Sequence, residues 1–378
     1  MAGRRGVVGL GLVAMVAGCG PVRQDAVSLG AGESGQASDQ APVAVVNPML
    51  PFEMMIGGRW KMTAQSGTSM FDTWHWGPGR RSLRVMTDGQ SADGRPWRSV
   101  SVYYWHPGLT EIRTLGLQPV FRGINEGSIT FDGQRAEGFS QLHQTGGTRE
   151  MGLRWTFEGK DKYRDELLEN GPEGYYVMNK WERFRVGVAD AAGGGVSEGK
   201  DARTALGAGE GVLDARAGAT PGLSALMEPF GTLLGRRRER TWEFAAVGQH
   251  AGAPRSRTTF EYVPYADAIY GRVDEISTSG AASHSMDVYL YHHTSARVLR
   301  CLAVGVDGRG EAVVYEGVVK KGDGEDLVLE LRSSGAEGDK RIHMRVEFDG
   351  AGGARLLGWR SDGERLEQIV DARYSGAN

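Results

Sequence analysis

The chain has 378 residues, with 44 Lys and Arg against 47 Asp and Glu, for a formal net charge of −3. That length leaves room for two or three domains, and the near-neutral charge excludes the domain-scale basic surface that nucleic-acid binding requires. Two cysteines and 58 glycines argue against a disulfide framework and for a chain that turns often.

Arg4 and Arg5 open the chain, and Gly6 to Val16 is a short apolar run. A helix needs about 20 residues to span a bilayer, so this run suits a signal h-region instead. Val16-Ala17-Gly18-Cys19 resembles a bacterial lipobox, cut before the cysteine so that the thiol can be lipidated. The resemblance implies a signal peptide over residues 1–19 and a lipidated Cys19. It also implies an exported protein anchored to a membrane of the cell envelope, periplasmic or at the outer surface. Arg4-Arg5 also fits twin-arginine export. With Cys19 so used, Cys301 has no partner and reads as a small buried hydrophobe in a strand. Residues 20–46 are rich in Gly, Ala, Ser and Gln, with no aromatic residue, and are expected to be a disordered tether. Gly30-Ala31-Gly32-Glu33-Ser34-Gly35 matches the dinucleotide-loop pattern, but no strand precedes it and no helix follows, so no nucleotide site is expected.

Residues 47–186 form the first repeat. Asn47 before Pro48 predicts an N-cap with Pro at N1. The short helical turn that follows, through Phe52, Met55 and Ile56, stops at Gly57-Gly58. Strands are predicted over 59–65, 70–76, 81–86, 98–105, 111–117, 128–131, 138–143, 151–157, 163–168 and 175–184, divided by turns such as Gly77-Pro78-Gly79 and Asp132-Gly133. In the fourth, Val100, Val102 and Tyr104 alternate with Ser99, Ser101 and Tyr103, the period of a half-buried strand. About ten strands behind one short helix predict an antiparallel barrel closed on itself, which leaves no edge exposed.

Residues 187–223 are rich in Gly and Ala and too long for a loop inside a domain, so they read as a flexible linker. Residues 224–378 then repeat the first unit. Glu228-Pro229-Phe230 answers Leu50-Pro51-Phe52, and Leu233-Leu234-Gly235 answers Met55-Ile56-Gly57. Asp287-Val288-Tyr289-Leu290-Tyr291-His292 answers Ser101-Val102-Tyr103-Tyr104-Trp105-His106, which aligns His292 with His106. Ile342, Met344, Val346 and Phe348 answer Met151, Leu153, Trp155 and Phe157, with Arg345 answering Arg154 on the opposite face. The expected fold is all-β: two tandem antiparallel up-and-down barrels of about ten strands each, a short helix at the start of each.

The Pro-Phe…Leu-Gly opening, the Val-Tyr-x-Tyr/Trp-His strand and the closing Trp181-Glu182-Arg183-Phe184 resemble the lipocalin-like, calycin-type β-barrels of bacterial secreted proteins, over nearly the whole chain after residue 47. The resemblance implies a small barrel whose interior holds an apolar ligand. Related haem-binding barrels use an axial histidine, and no motif here supplies one.

Candidate site residues follow from the aromatic load of the first repeat. Trp60, Trp74, Trp76, Tyr104, Trp155 and Trp181 fill a barrel core or wall a ligand pocket. Arg154 faces solvent, or points inward and pairs with an anionic ligand. His106 and His292 sit before turns, with His284 and His293 nearby, and lack metal-ligand spacing. No metal and no cofactor are expected. Arg236-Arg237-Arg238-Glu239-Arg240 is a solvated edge or a contact to anionic headgroups. No nucleophile elbow or activated Ser or Cys appears. The leading reading is a lipid-anchored, non-catalytic carrier of a small apolar or amphipathic ligand. An envelope interaction or scaffold protein with filled barrels and its own protein partner comes second. An enzyme built on the barrel comes third.

Overall fold

The computed structural model describes residues 47–186 and 224–377, apart from residues 64–68, 91–95, 119–122, 235–238, 247–254, 264–265, 278, 336–337, 351–352 and 363–364. Cys19 with its lipobox, the tether, the linker, and Arg236, Arg237 and Arg238 of the basic run lie outside the described residues.

Ten strands form the first barrel: β1 (Arg59–Thr63), β2 (Ser69–Trp76), β3 (Ser82–Gln90), β4 (Pro96–His106), β5 (Glu111–Gln118), β6 (Gly123–Asp132), β7 (Arg135–Gln144), β8 (Gly147–Phe157), β9 (Lys162–Gly171) and β10 (Gly174–Val186). Each pairs antiparallel with the next, and β1 closes the ring on β10. The second barrel repeats this with β11 (Glu239–Ala246), β12 (Arg255–Val263), β13 (Ala268–Ile276), β14 (Ala282–His293), β15 (Val298–Val306), β16 (Ala312–Lys321), β17 (Leu327–Ser334), β18 (Lys340–Phe348), β19 (Gly353–Asp362) and β20 (Arg365–Ala377), closed by β11 on β20. Closure pairs every strand on both sides, so neither ring has a free sheet edge.

Each lumen is stoppered at one end by its own opening turn. Leu50–Met55 is a 3-10 helix that buries Phe52 and Met55. The turns Glu228–Phe230 and Gly231–Leu234 bury Phe230, Leu233 and Leu234 in the second barrel. The same hydrogen bond pins both. The Trp60 indole N–H donates to the Met55 carbonyl at 2.9 Å, and that of Trp242 to the Leu233 carbonyl at 3.0 Å. Arg185 adds a lock to the first stopper, donating to the Met54 and Ile56 carbonyls with its guanidinium 4.5 Å from the Trp60 ring centre. Asn47 is not the N-cap. Its Oδ1 accepts the Met49 N–H at 3.1 Å, and the helix starts at Leu50, because an Asn side chain readily closes a turn on its own backbone two residues on.

The late-strand match holds. Leu153, Trp155 and Phe157 pack in the first lumen, and Ile342, Met344, Val346 and Phe348 in the second. Cys301 is fully buried in the second lumen, and burial pushes its thiol up to about 12. In a Cys19→Ser chain, Cys301 should resist an aromatic disulfide reagent in buffer and react at once in denaturant. Prompt labelling of the native chain would place it elsewhere.

The strand motif of the two repeats behaves differently from its alignment. Tyr103 packs in the first lumen, whereas Tyr289 packs outside the second. The turns that follow set the true register. His106 pairs with Glu111 across four residues, and His293 pairs with Val298 across four. Each histidine Nδ1 accepts a backbone N–H three residues on, from Leu109 at 3.1 Å and from Ala296 at 3.2 Å. Thr110 and Arg297 take the same positive φ, 52° and 53°. His293, not His292, therefore answers His106, and Tyr291, not Leu290, answers Tyr104. A slip of one residue exchanges the two faces of a strand. Because β4 and β14 are buried on both faces, alternation along them does not fix their register.

Those outer faces hold the barrels together. Met86, Val100, Val102, Tyr104, Leu115, Leu117 and Ile124 of the first share one buried cluster with Val263, Ala268, Tyr270, Tyr289, Leu302, Val304 and Val314 of the second. The seam is pseudo-two-fold. His106 Nε2 lies 3.7 Å from Glu316 of the second barrel, and His293 Nε2 lies 3.6 Å from Glu126 of the first. Glu126 and Glu316 hold matching positions, opposite Leu115 and Leu302. Arg84 and Tyr270 match as well, opposite Val102 and Tyr289, and they meet each other, guanidinium to ring centre 4.4 Å. Equivalent residues in mutual contact lie beside the local axis, as in an isologous dimer interface. Beside it, Gly79 has φ +57°, and a Cβ there would fall 2.4 Å from Val306 Cγ1.

Candidate functional site in the first barrel

The first lumen is built in layers above its stopper. Phe52 rises from the helix into an aromatic box. Its ring centre is 5.2 Å from Tyr103, 6.0 Å from Trp74 and 6.4 Å from Trp155. Tyr103 stacks on Trp74 at 5.5 Å, and Tyr163 meets Trp60 edge-on at 4.9 Å. Three charged side chains from three strands enter the same space. Arg183 of β10 donates to Asp165 of β9 from Nε at 2.9 Å, with Nη2 at 2.7 Å, and to Asp72 of β2 from Nη1. Both aspartates are 3% exposed.

The cluster carries two carboxylates for one guanidinium. Burial pushes the Asp165 carboxyl above its ordinary value, and the Asp72 charge adds to that push against the pull of Arg183. Burial likewise raises the Tyr103 and Tyr163 hydroxyls, which lie in the field of the same three groups. Asp72 Oδ1 and the Trp74 indole N–H make no hydrogen bond among the described residues, while the Trp155 indole reaches the Asp165 carboxyl and eases its shift. On the far side of Tyr103 lies a recess of about 50 Å³, lined by Ser101, Thr114, Gln118, Asn125 and Ser140 among others.

The second barrel shows what the fold needs in these places. Asp72 pairs with Trp60 as Thr258 pairs with Trp242. Arg183 pairs with Met62 as Tyr374 pairs with Phe244. Asp165 pairs with Trp155 as Leu356 pairs with Val346. The duplicate thus closes the same ten-strand ring with threonine, tyrosine and leucine where the first barrel has a buried ionic cluster. Such clusters contribute little net stability against apolar replacements, so the fold does not require this one.

Of the residues singled out from sequence, Trp60, Trp74 and Trp155 lie in the lumen, and Trp76 packs against its edge. Trp181 is half-buried and pairs with Asp165, sharing its face. Tyr104 lies in the seam, not the lumen. Arg154 lies on the outside, its Nε 2.9 Å from Glu137 and Nη1 3.5 Å from Glu166; Arg345 likewise pairs with Asp326 at 2.8 Å. An arginine does enter the lumen, but it is Arg183. The pattern that marks it is a charge in phase with apolar positions. Asp72 shares the parity of Trp74 and Trp76, and Asp165 that of Tyr163. Charged residues are almost never fully buried unless paired, so three of them at inward positions of β2, β9 and β10, within one arc of the ring, point to one another.

No family model matches the chain, and no curated protein does. Among solved structures, the β-domain of the Bordetella autotransporter BrkA is similar at 10% identity, over 85% of this chain and 98% of that one, with a TM-score of 0.09. That score is too low to place the two chains in one fold.

Proposed function

We propose that the chain is a non-catalytic binding protein whose site is the lumen of the first barrel. Its ligand is a small amphipathic molecule bearing an amine or hydroxyl. The supporting observation is the Asp72–Arg183–Asp165 cluster, present in one repeat and replaced in the other, with Asp72 Oδ1 left without a partner among the described residues. Buried acceptors of this kind are satisfied by a donor, and the aromatic box offers apolar walls to the rest of the molecule. The recess of about 50 Å³ beyond Tyr103, whose lining does not include the three charged residues, falls far short of the roughly 300 Å³ that the smaller drug-sized pockets offer, so a ligand that bridges it to the cluster has few atoms and displaces Tyr103. The lipobox-like segment supports an exported, envelope-anchored carrier of lipocalin-like type.

Native mass spectrometry of the full chain from an exporting host tests this. A discrete added mass, lost on organic extraction and absent from Asp72→Asn and Asp165→Asn chains, is the expected result. The acyl mass on Cys19 is read in the same spectrum. An apo mass, with no thermal shift across small amines and alcohols, would sink the binding reading. The runner-up is then an interaction protein, favoured by an outer patch on which Phe139 and Tyr175 pair at 5.2 Å beside the exposed Val177.

A further inference from the structure

We propose that Glu126, His143 and His293 form a divalent transition-metal site, suited to zinc, that clamps the two barrels together. Two ligands come from β6 and β7 of the first barrel and the third from β14 of the second. The Glu126 carboxylate lies 3.9 Å from His143 Nε2 and 3.6 Å from His293 Nε2. One ligand atom from each of the three residues lies within 4.8 Å of the other two. These separations are too long for hydrogen bonds. Bonds of about 2.0–2.2 Å around a tetrahedral ion place ligand atoms about 3.4 Å apart, so the carboxylate needs to approach each imidazole by only a few tenths of an ångström, while the widest pair of the set, within 4.8 Å, closes by side-chain rotation. Two imidazoles and one carboxylate with the fourth position open suit zinc better than a hard, oxygen-seeking cation.

The neighbouring groups are placed to orient the ligands. His143 Nδ1 lies 3.1 Å from Thr148 Oγ1 and 3.2 Å from Ser295 Oγ. Either hydroxyl accepts an Nδ1–H, which leaves the Nε2 lone pair turned to the carboxylate, as outer partners of metal-bound histidines do. His293 is less ready. Its Nδ1 accepts the Ala296 N–H, so binding through Nε2 moves the proton to Nδ1, where Ser295 Oγ at 3.4 Å accepts it. Arg300 Nη1, 3.3 Å and 3.4 Å from the two Glu126 oxygens, competes with the ion. One lost backbone bond and one competing cation make this a site of moderate affinity.

The pseudo-two-fold seam contains its own control. The His–Glu contact occurs twice, so a structural role accounts for both pairs, but it does not account for His143. His143 pairs with Ile124 as Ser334 pairs with Val314. Ser334 donates to Asp339 at 2.7 Å, and the His106–Glu316 pair gains no second histidine. Among the described residues, one side of the seam carries a third ligand and the other does not.

The test is cobalt and zinc titration of the full chain without a histidine tag. Co²⁺ should give the visible absorption of a tetrahedral site, displaced by one equivalent of Zn²⁺, and Zn²⁺ should raise the melting temperature. His143→Ser, which installs the residue of the other side, should weaken zinc by more than the about 10–100-fold that losing an outer partner costs. Glu126→Gln should weaken it while keeping the shape. Both should retain the circular dichroism of the wild type. Absence of the cobalt band from the wild type overturns the proposal, as does undiminished zinc binding by the His143→Ser chain.

Discussion

Replacing Arg183 by methionine is expected to cost the native state about 3–5 kcal/mol at neutral pH. The guanidinium is the partner of both Asp72 and Asp165, and without it two carboxylates 3% exposed lose their counter-charge. Two buried like charges cannot both stay ionised, so the lumen must take up protons. Burial already raises Asp165 above its ordinary 3.8 in the intact cluster. A group whose folded pKa is raised contributes stability that is fully present below the unfolded value and lost as pH rises through the folded one. Loss of Arg183 removes the pull that opposes this shift, so the variant should regain stability steadily as pH falls from neutrality towards 4. Urea unfolding of both chains at a series of pH values reads the slope. An Arg183→Met chain as stable as wild type at pH 7.5 would mean that the cluster is not buried as described. Asp165→Asn in the same background should flatten the pH dependence.

Placing aspartate at Val304 is expected to separate the barrels without opening either. Val304 is fully buried in the seam and contributes to neither lumen. Its cross-strand neighbour is the buried Asp287, already engaged by Tyr270 and His284, so the new carboxylate meets a like charge on one side and an apolar cluster that includes Leu117, Ile124 and Val314 on the other. An unpaired charge in such a place costs about 4 kcal/mol or more. Each ring keeps all its own strand pairs, so the cost falls on docking rather than on closure. Calorimetry should show one cooperative transition in the wild type and two resolved ones in Val304→Asp. A single transition at the wild-type temperature would show that the seam does not couple the barrels.

The ten strands of the first repeat were legible because turns recur every 8–12 residues, a spacing that marks all-β folds. Gly77-Pro78-Gly79 and Asp132-Gly133 stand where the chain reverses, and a run such as Met151 to Phe157 alternates cleanly. The opening turns were legible from Pro51-Phe52 and Pro229-Phe230, but that they plug the lumens was not, because it depends on which end of the ring they fold over. Trp60, Trp74 and Trp155 were singled out by the aromatic load of the first repeat. The register of the repeat was not legible at the Val-Tyr motif. A strand buried on both faces has apolar residues at every position, and period 2 then carries no information about which face is which.

The sequence by itself determined the class of fold, the duplication and the aromatic load of the first repeat, because those rest on local alternation, on composition and on turn residues close together in the chain. Tertiary structure alone decided that the barrels dock through an apolar seam, that Tyr104 belongs to that seam, and that Arg154 faces out while Arg183 faces in. It also alone assembled the two charged clusters. Arg183 reaches an aspartate 111 residues away, and His293 meets Glu126 from the other barrel. Local pattern shows which face of a strand a residue occupies, but ring closure and the docking axis decide what lies opposite. Those depend on how the whole ring and the second copy fit, which no window of neighbouring residues contains.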